Sequence, residues 1–185
     1  APAPRAVRRA PSRPAARVSG NAVAVAGRRV GGVWRPDWWP SWLPAGSGKA
    51  GVVIRLSRQR LYVHDGRRGW THFPVATGAY NATPRGTFRI VSKVRQPSWS
   101  YRGRFVPGGV PANPLGVCWM GLSMPRAWRG APIGIHGTNA PWLIGQPVSR
   151  GCIRMYNRDA LKLFGLVPHG TPVYIISSAP GASLA

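Results

Sequence analysis

From residue 51 onward, the chain is a series of short runs of β-branched and aromatic residues, each interrupted by glycine or proline. The runs include "GVVIRLSRQRLYVHDG", "GWTHFPVATG", "GTFRIVSKV", "APIGIHG" and "TPVYIIS". The 185 residues contain 24 glycines and 20 prolines, which allow many turns and few long helices. This punctuation predicts a mainly β fold with one or two short helices, with first strands at 52–56 and 60–64 around a polar turn.

The segment "NRDALKLFGLV" has the pattern of a short helix. Asn157 is the expected N-cap, and Asp159 lies in the first turn, where an acidic residue is favoured. Leu161 and Phe164 are spaced for one face of the helix. We expect this helix to precede the last strand of the domain.

Composition divides the chain into three parts: a basic arm with a Trp-rich segment at 1–50, a folded domain at 51–178 and a tail at 179–185. Residues 1–20 are Ala, Pro and Arg in low-complexity order, which favours a disordered linker over an electrostatic tether. The segment "VWRPDWWPSWLP" carries four tryptophans. Packing onto an apolar face of the domain is favoured for them over stacking on sugars or lying at a membrane interface.

The charge balance is extreme. Lys and Arg number 26 against three acidic residues, Asp37, Asp65 and Asp159, which gives a formal net charge of +23. Such a surface favours an acidic partner, such as nucleic acid, an anionic membrane face or an acidic wall polymer, although an arginine-biased genome would give the same composition. No nucleic-acid motif is present, so specific nucleic-acid binding is not expected.

The absence of glutamate removes several classes of chemistry. A two-carboxylate glycosidase requires a facing acid pair, and the H-E-x-x-H zinc motif requires Glu. The four histidines, at 64, 72, 136 and 169, show no ligand spacing, so neither a metal nor a cofactor is expected. No apolar run approaches the ~20 residues of a transmembrane segment. No signal peptide is visible, and we expect one to have been removed.

A thiol nucleophile is the chemistry that remains. Cys152 lies in "SRGCIRM" between Arg150 and Arg154, whose positive field favours the thiolate. His136, at the end of a predicted strand in "GIHGTN", is the candidate base. With Asp159 assigned to the helix, a backbone carbonyl is expected to orient the imidazole, the first candidate being that of Gly137. A lone cysteine is, however, more often a buried, inert residue than a nucleophile.

Backbone N–H groups at Gly151 and Cys152 are the expected donors to an oxyanion, because glycine allows the chain to turn tightly there.

The stretch "IHGTN…IG…SRGCIRMYNRDALKL" resembles the signature of the L,D-transpeptidase catalytic domain family (YkuD-like). Upstream, "LSRQRLYVHDG", "FPVATG", "TPRGTFRI" and "NPLGVCWMGLS" resemble the same family in the same order, so that the resemblance covers about 51–177. It implies an L,D-transpeptidase-type fold, a β-sandwich or barrel-like structure with one or two short helices.

The resemblance implies an enzyme that cross-links bacterial peptidoglycan. Cys152 would attack the carbonyl after the third stem residue, D-Ala would leave, and the thioester would pass to an amine of another stem. By position, His136 is the general base and Gly137 its orienting carbonyl. Residues at 149–151 form the turn before the nucleophile. Substrate-binding roles are implied for Ser149, Arg150, Arg154, Asn139, Trp119 and Met120, with Arg154 gripping a carboxylate. For Arg154 a structural role stays open, and for Trp119 and Met120 core packing is equally plausible.

Cys118, in "VCWMG", departs from the expected pattern. A free buried thiol is the first expectation for it. A bridge to Cys152, which an extracytoplasmic location would permit, would block the nucleophile.

Three functions follow as hypotheses. The first is the transpeptidase, acting on peptidoglycan stem peptides outside the cytoplasm, open to capture by carbapenems and bearing on cell-wall biogenesis and cell shape. The second is an L,D-carboxypeptidase or protein-anchoring variant, which would share the acyl-enzyme and differ in the acceptor. The third is a non-catalytic module that binds the wall or another polyanion, with anionic wall polymers as partners.

Overall fold

The computed structural model describes residues 27–30 and 33–36 as backbone, and 50–64, 70–124 and 131–177 with their side chains. The expectations for the arm at 1–20, the tryptophan side chains of the Trp-rich segment and the tail at 179–185 lie outside the described residues. The elements are β1 (Gly27–Val30), β2 (Val33–Pro36), β3 (Gly51–Arg55), β4 (Arg60–His64), β5 (Trp70–Gly78), β6 (Gly86–Arg95), β7 (Trp99–Tyr101), β8 (Arg104–Val106), β9 (Cys118–Leu122), β10 (Gly134–His136), β11 (Pro147–Ser149), β12 (Ile153–Met155), α1 (Asn157–Leu166) and β13 (Pro172–Ile176).

Most strands belong to one curved sheet, in the order β11-β5-β12-β10-β9-β6-β13-β3-β4. The long strand β5 pairs with β12 near its end and with β4 near its start, so that the sheet closes into a barrel-like ring. The ring is mixed, because β13 runs parallel to β3 and β12 runs parallel to β10. The mainly β prediction is confirmed.

Two small antiparallel ribbons lie outside this sheet. One pairs β7 with β8, and the other pairs β1 with β2. The second lies inside the segment that composition assigned to the arm and the Trp-rich region.

Alternation of apolar residues along the strands builds the core. In β4, Leu61 and Val63 are buried while their neighbours are only partly covered, as the period of two requires. The same pattern places Met120, Ile135 and Ile153 in the core from the three central strands β9, β10 and β12. These strands therefore present their other face to the site described below.

The helix begins at Asn157, as predicted, but its N-cap differs from the prediction. The N-cap is Tyr156, without a side-chain capping bond, so the N-cap prediction for Asn157 is wrong. Asp159 does lie in the first turn, where it is buried and pairs with the exposed Arg158. The buried face carries Ala160 and Leu163, whereas Leu161 is exposed.

Lys93 joins the end of α1 to the sheet. Its Nζ donates to the carbonyls of Phe164 and Val167, both at 2.7 Å, and lies 4.3 Å from the centre of the Phe164 ring. A cation is favoured there because the last carbonyls of a helix lack backbone partners.

Candidate functional site

The parallel pair β10 and β12 brings the two candidate residues together. Ile135 is paired with Ile153, and His136 with Arg154. Because Ile135 and Ile153 point into the core, His136 and Arg154 lie on the opposite face, and Cys152 shares that face with Arg154. The thiol therefore belongs to the residue two positions before Arg154, which is the partner of His136 on the neighbouring strand.

His136 is held in one orientation. Its Nδ1 lies 2.6 Å from the carbonyl oxygen of Gly137, which is the orienting group predicted from the sequence. Since a carbonyl can only accept, Nδ1 carries the hydrogen and Nε2 is left as the basic nitrogen. Burial lowers the pKa of His136 to about 4; the Gly137 and Leu115 carbonyls oppose this shift, and Arg154 adds to it.

The environment of Cys152 favours the neutral thiol. Burial raises its pKa, while a hydrogen bond from the Gly134 backbone and the charge of Arg154 act in the opposite direction. The expectation that the flanking arginines would favour the thiolate is therefore corrected: the field of Arg154 has the predicted sign, but burial outweighs it. Arg150 is exposed and stacks on Tyr101, with its guanidinium carbon 4.8 Å from the ring centre.

Ser149 stabilises the turn that precedes Cys152. The Ser149 hydroxyl accepts from the N–H of Gly151 at 3.1 Å and donates to the carbonyl of Cys152 at 2.6 Å. Ser149 is buried, and both hydrogen bonds of its hydroxyl lie within the turn; its contact with substrate stays a prediction. Of the two predicted oxyanion donors, the N–H of Gly151 is engaged by Ser149, and the N–H of Cys152 stays the candidate.

Gly151 has a backbone conformation that favours glycine. Its φ of +131° is one that residues with a side chain rarely adopt, and a Cβ there would lie 2.8 Å from Cδ1 of Ile133 and 2.9 Å from the carbonyl oxygen of Ala82. Glycine is therefore required where the chain passes between Ile133 and the turn after β5, one residue before Cys152.

Asn157 is a positioning residue that the sequence reasoning assigned wrongly. Its Oδ1 accepts from the N–H of Thr138 at 2.9 Å, and its Nδ2 donates to the carbonyl of Thr138 at 3.0 Å. The amide occupies space left by two glycines, since a Cβ on Gly116 or Gly137 would come within 2.2 or 2.1 Å of that Oδ1. The loop that follows His136 is therefore clamped to the start of α1.

Thr83 is a second residue that the sequence reasoning missed. It is buried, and its hydroxyl lies between the N–H of Gly78 and the carbonyl of Gly151. The only available signal was its place in "TPRGTFRI", one of the segments that carry the family resemblance.

Trp119 and Met120, neighbours on β9, point in opposite directions. The half-buried indole of Trp119 stacks on the imidazole of His136, with ring centroids 5.7 Å apart and planes 24° apart. A Cβ on Gly134 would lie 2.6 Å from the indole, so that glycine permits its position. Met120 is fully buried in the core, which agrees with the core-packing alternative that the sequence left open for it.

The remaining predicted contacts lie at the edge of the site. Asn139 is exposed, and its Nδ2 donates to the carbonyl of Ala112 at 3.0 Å. Arg154 is partly buried, and its Nε makes no hydrogen bond within the described part of the chain. That nitrogen is a buried donor, and the charge of its guanidinium acts on both Cys152 and His136.

Cys118 lies beneath the sheet, in the core that Met120 also joins, whereas Cys152 is on the other face. Both cysteines are free, and burial raises the pKa of Cys118 to about 11. The free buried thiol expected for Cys118 is confirmed, and its orientation keeps it from Cys152.

No cluster of three or more His, Cys, Asp or Glu that could hold a metal ion occurs among the described residues. Within the same residues, no helix is both long and apolar enough to span a membrane.

Comparison with known families decides the classification. The model of the L,D-transpeptidase catalytic domain, YkuD, matches residues 49–175. The chain belongs to this L,D-transpeptidase family. The match agrees with the motifs that suggested the family and leaves the first 48 residues outside it.

Relatives of the L,D-transpeptidase family align with the same region. The YkuD protein of Bacillus licheniformis is 42% identical over 125 residues, which are 67% of this chain and 64% of that protein. ErfK/SrfK of Escherichia coli is 36% identical over 141 residues, which cover 69% of this chain and 44% of that one. Both carry the name of an L,D-transpeptidase, and the chain spans less than two thirds of their length.

Solved structures confirm the fold. An L,D-transpeptidase from Mycobacterium tuberculosis superposes with a TM-score of 0.51 at 23% identity, over 69% of this chain and 57% of that one. The Ldtfm–avibactam carbamoyl enzyme superposes with a TM-score of 0.54 at 23% identity, over 70% and 49%.

Proposed function

We propose that this chain is a peptidoglycan L,D-transpeptidase that works through a thioester on Cys152. The observation that carries the proposal is the placement of Cys152 and His136 on one face of two adjacent parallel strands, with Nδ1 of His136 bound to the Gly137 carbonyl. This arrangement leaves a basic nitrogen and a thiol on the same surface. Membership of the family supplies the reaction class.

In the first step, Sγ of Cys152 attacks the carbonyl carbon of the third stem residue while its proton passes to Nε2 of His136. The C–N bond to the terminal D-Ala then breaks, and Nε2 returns the proton to the departing amine. The N–H of Cys152 donates to the oxygen that becomes negative in between. Because the resting pair is a neutral thiol and a neutral imidazole, proton transfer accompanies bond formation and no preformed ion pair is needed.

In the second step, an amine of another stem attacks the thioester. An amide bond forms, the C–S bond breaks, and His136 carries the proton of the amine back to Sγ. The same intermediate would react with water to give a shortened stem, which is the carboxypeptidase alternative.

Arg154 is the proposed partner of a substrate carboxylate. Its Nε is buried without a hydrogen-bond partner in the described structure, and its charge acts on both Cys152 and His136. A guanidinium binds a carboxylate through two parallel bonds, which would locate the terminal D-Ala of the donor beside the thiol. Trp119 would form the wall on the far side of His136.

The proposed location is outside the cytoplasm, where the substrate lies. The formal charge of +23 favours attraction to anionic stems and wall polymers.

The deciding experiment incubates the protein with purified disaccharide-tetrapeptides and analyses products and protein by mass spectrometry. We expect cross-linked dimers, free D-Ala and an acyl adduct on Cys152. Cys152→Ala should give none of these, whereas Cys118→Ala, which changes the thiol under the sheet, should retain all three. Release of D-Ala by Cys152→Ala would refute the proposal. Tripeptides without dimers would indicate the carboxypeptidase, and salt-sensitive binding without any product would indicate a wall-binding module.

A further inference from the structure

The buried hydroxyl of Thr83 joins strand β5 to the turn of the nucleophile. Its Oγ1 accepts from the N–H of Gly78 at 2.7 Å and donates to the carbonyl oxygen of Gly151 at 2.9 Å. Only 2% of Thr83 is exposed, so both bonds are shielded from water. Removing the hydroxyl would leave a buried donor and a buried acceptor without partners.

The backbone around this hydroxyl is packed too closely to shift easily. A Cβ on Gly78 would lie 2.5 Å from the nitrogen of Thr83, and one on Gly151 would lie 2.9 Å from the carbonyl oxygen of Ala82. Two glycines thus bring three stretches of backbone together around one side chain.

Three consecutive peptide groups in the turn are held by two hydroxyls. Ser149 accepts from the N–H of Gly151 in the first group and donates to the carbonyl of Cys152 in the third. Thr83 donates to the carbonyl of Gly151, which belongs to the group between them. That middle group also contains the N–H of Cys152.

Because a trans peptide is planar, its C=O and N–H point in opposite directions. A hydroxyl that holds the Gly151 oxygen therefore sets the direction of the Cys152 N–H. We infer that Thr83 is a positioning residue that aims the oxyanion donor of Cys152. This role rests on the proposed function, since it concerns the oxygen that becomes negative when the thiol is acylated.

The matched pair Thr83→Ser and Thr83→Ala tests this role, because the two variants differ by the hydroxyl alone. Two reactions are measured on each: acylation of Cys152 by imipenem, which develops an oxyanion, and alkylation by iodoacetamide, which does not. We expect Thr83→Ser to be acylated as wild type. Thr83→Ala should be acylated on the order of 10–100 times more slowly, since losing an oxyanion donor outright costs about 10²–10³. Alkylation rates should be alike in all three proteins.

Two results would overturn the assignment. Equal acylation of the Ser and Ala variants would show that the hydroxyl does not aim the donor. Equal slowing of acylation and alkylation in Thr83→Ala would show that the whole turn has moved. Should Thr83→Ala fail to fold, Thr83→Val, which fills the same volume, is measured against Thr83→Ser in its place. A wild-type protein inert to imipenem would instead count against the proposed function itself.

Discussion

The side-chain amide of Asn157 binds the backbone of Thr138 in both directions, through its oxygen at 2.9 Å and its nitrogen at 3.0 Å. It thereby connects the first residue of α1 to the loop whose Gly137 carbonyl orients His136. The orientation of His136 is thus supported from the start of a helix that is 21 residues further along the chain.

Replacing Asn157 with Ala should lower both stability and turnover. The N–H and C=O of Thr138 lose their partners, at a cost of about 2 kcal/mol for the partly buried pair. Thermal melts and muropeptide assays measure the two effects. Asn139→Ala is the matched control, because that exposed amide makes one bond to a surface loop and should cost well under about 1 kcal/mol. Equal melting temperatures for the two variants would contradict the clamp.

The pH dependence of Cys152 alkylation should show a thiol with a raised pKa. Burial raises its pKa, so the thiolate is a minor species at neutral pH. In a Cys118→Ser protein, the rate of iodoacetamide alkylation should keep rising as the pH passes the ordinary thiol value of about 8.5. A plateau already reached below pH 7 would reveal a thiolate–imidazolium pair and contradict the neutral resting state.

Stability should fall in acid because of His136. The unfolded imidazole titrates near 6.5, whereas the pKa of the folded one is about 4. Between these values the unfolded state binds the extra proton, so the free energy of unfolding decreases as the pH falls from about 6.5 to 4, by up to about 3 kcal/mol. Above pH 6.5 the imidazole of His136 is neutral in both states, so its contribution to the free energy of unfolding no longer changes with pH. Urea titrations across this range should show a shallower decrease for His136→Gln, and parallel curves would argue against a buried neutral imidazole.

Arg154 should discriminate between donors by their carboxylate. With a tetrapeptide ending in free D-Ala, Arg154→Ala should raise KM by about 10–100-fold, the usual worth of a hydrogen bond to a charged group. With the same stem ending in an amide, the KM of wild type and variant should be alike, because no carboxylate is present for Arg154 to bind. Arg154→Lys keeps the positive charge but cannot make two parallel hydrogen bonds to a carboxylate. Its KM for the donor with the free carboxylate should therefore lie between those of wild type and Arg154→Ala. An equal loss on both donors would assign Arg154 a structural role.

The sequence predicted the strands because their alternation and glycine punctuation are local signals, as in the buried Leu61 and Val63 of β4. It also predicted the pairing of His136 with the Gly137 carbonyl, since no carboxylate was available nearby. The balance of charge and burial at Cys152 could not be predicted, because burial depends on strands distant in sequence. The roles of Asn157 and Thr83 depend on partners 19 and 68 residues away, which no local pattern contains.

The lateral pairing of β10 with β12, rather than the segment between them, sets the distance from the imidazole of His136 to the thiol of Cys152. That connecting segment leaves the sheet after His136, passes the 72% exposed Trp142 and returns through β11. The exposed tip around Trp142 can therefore be replaced without changing the strand pairing that places His136 beside Cys152. A fluorescent reporter attached at Trp142 would report on the movement of this segment while that pairing is kept.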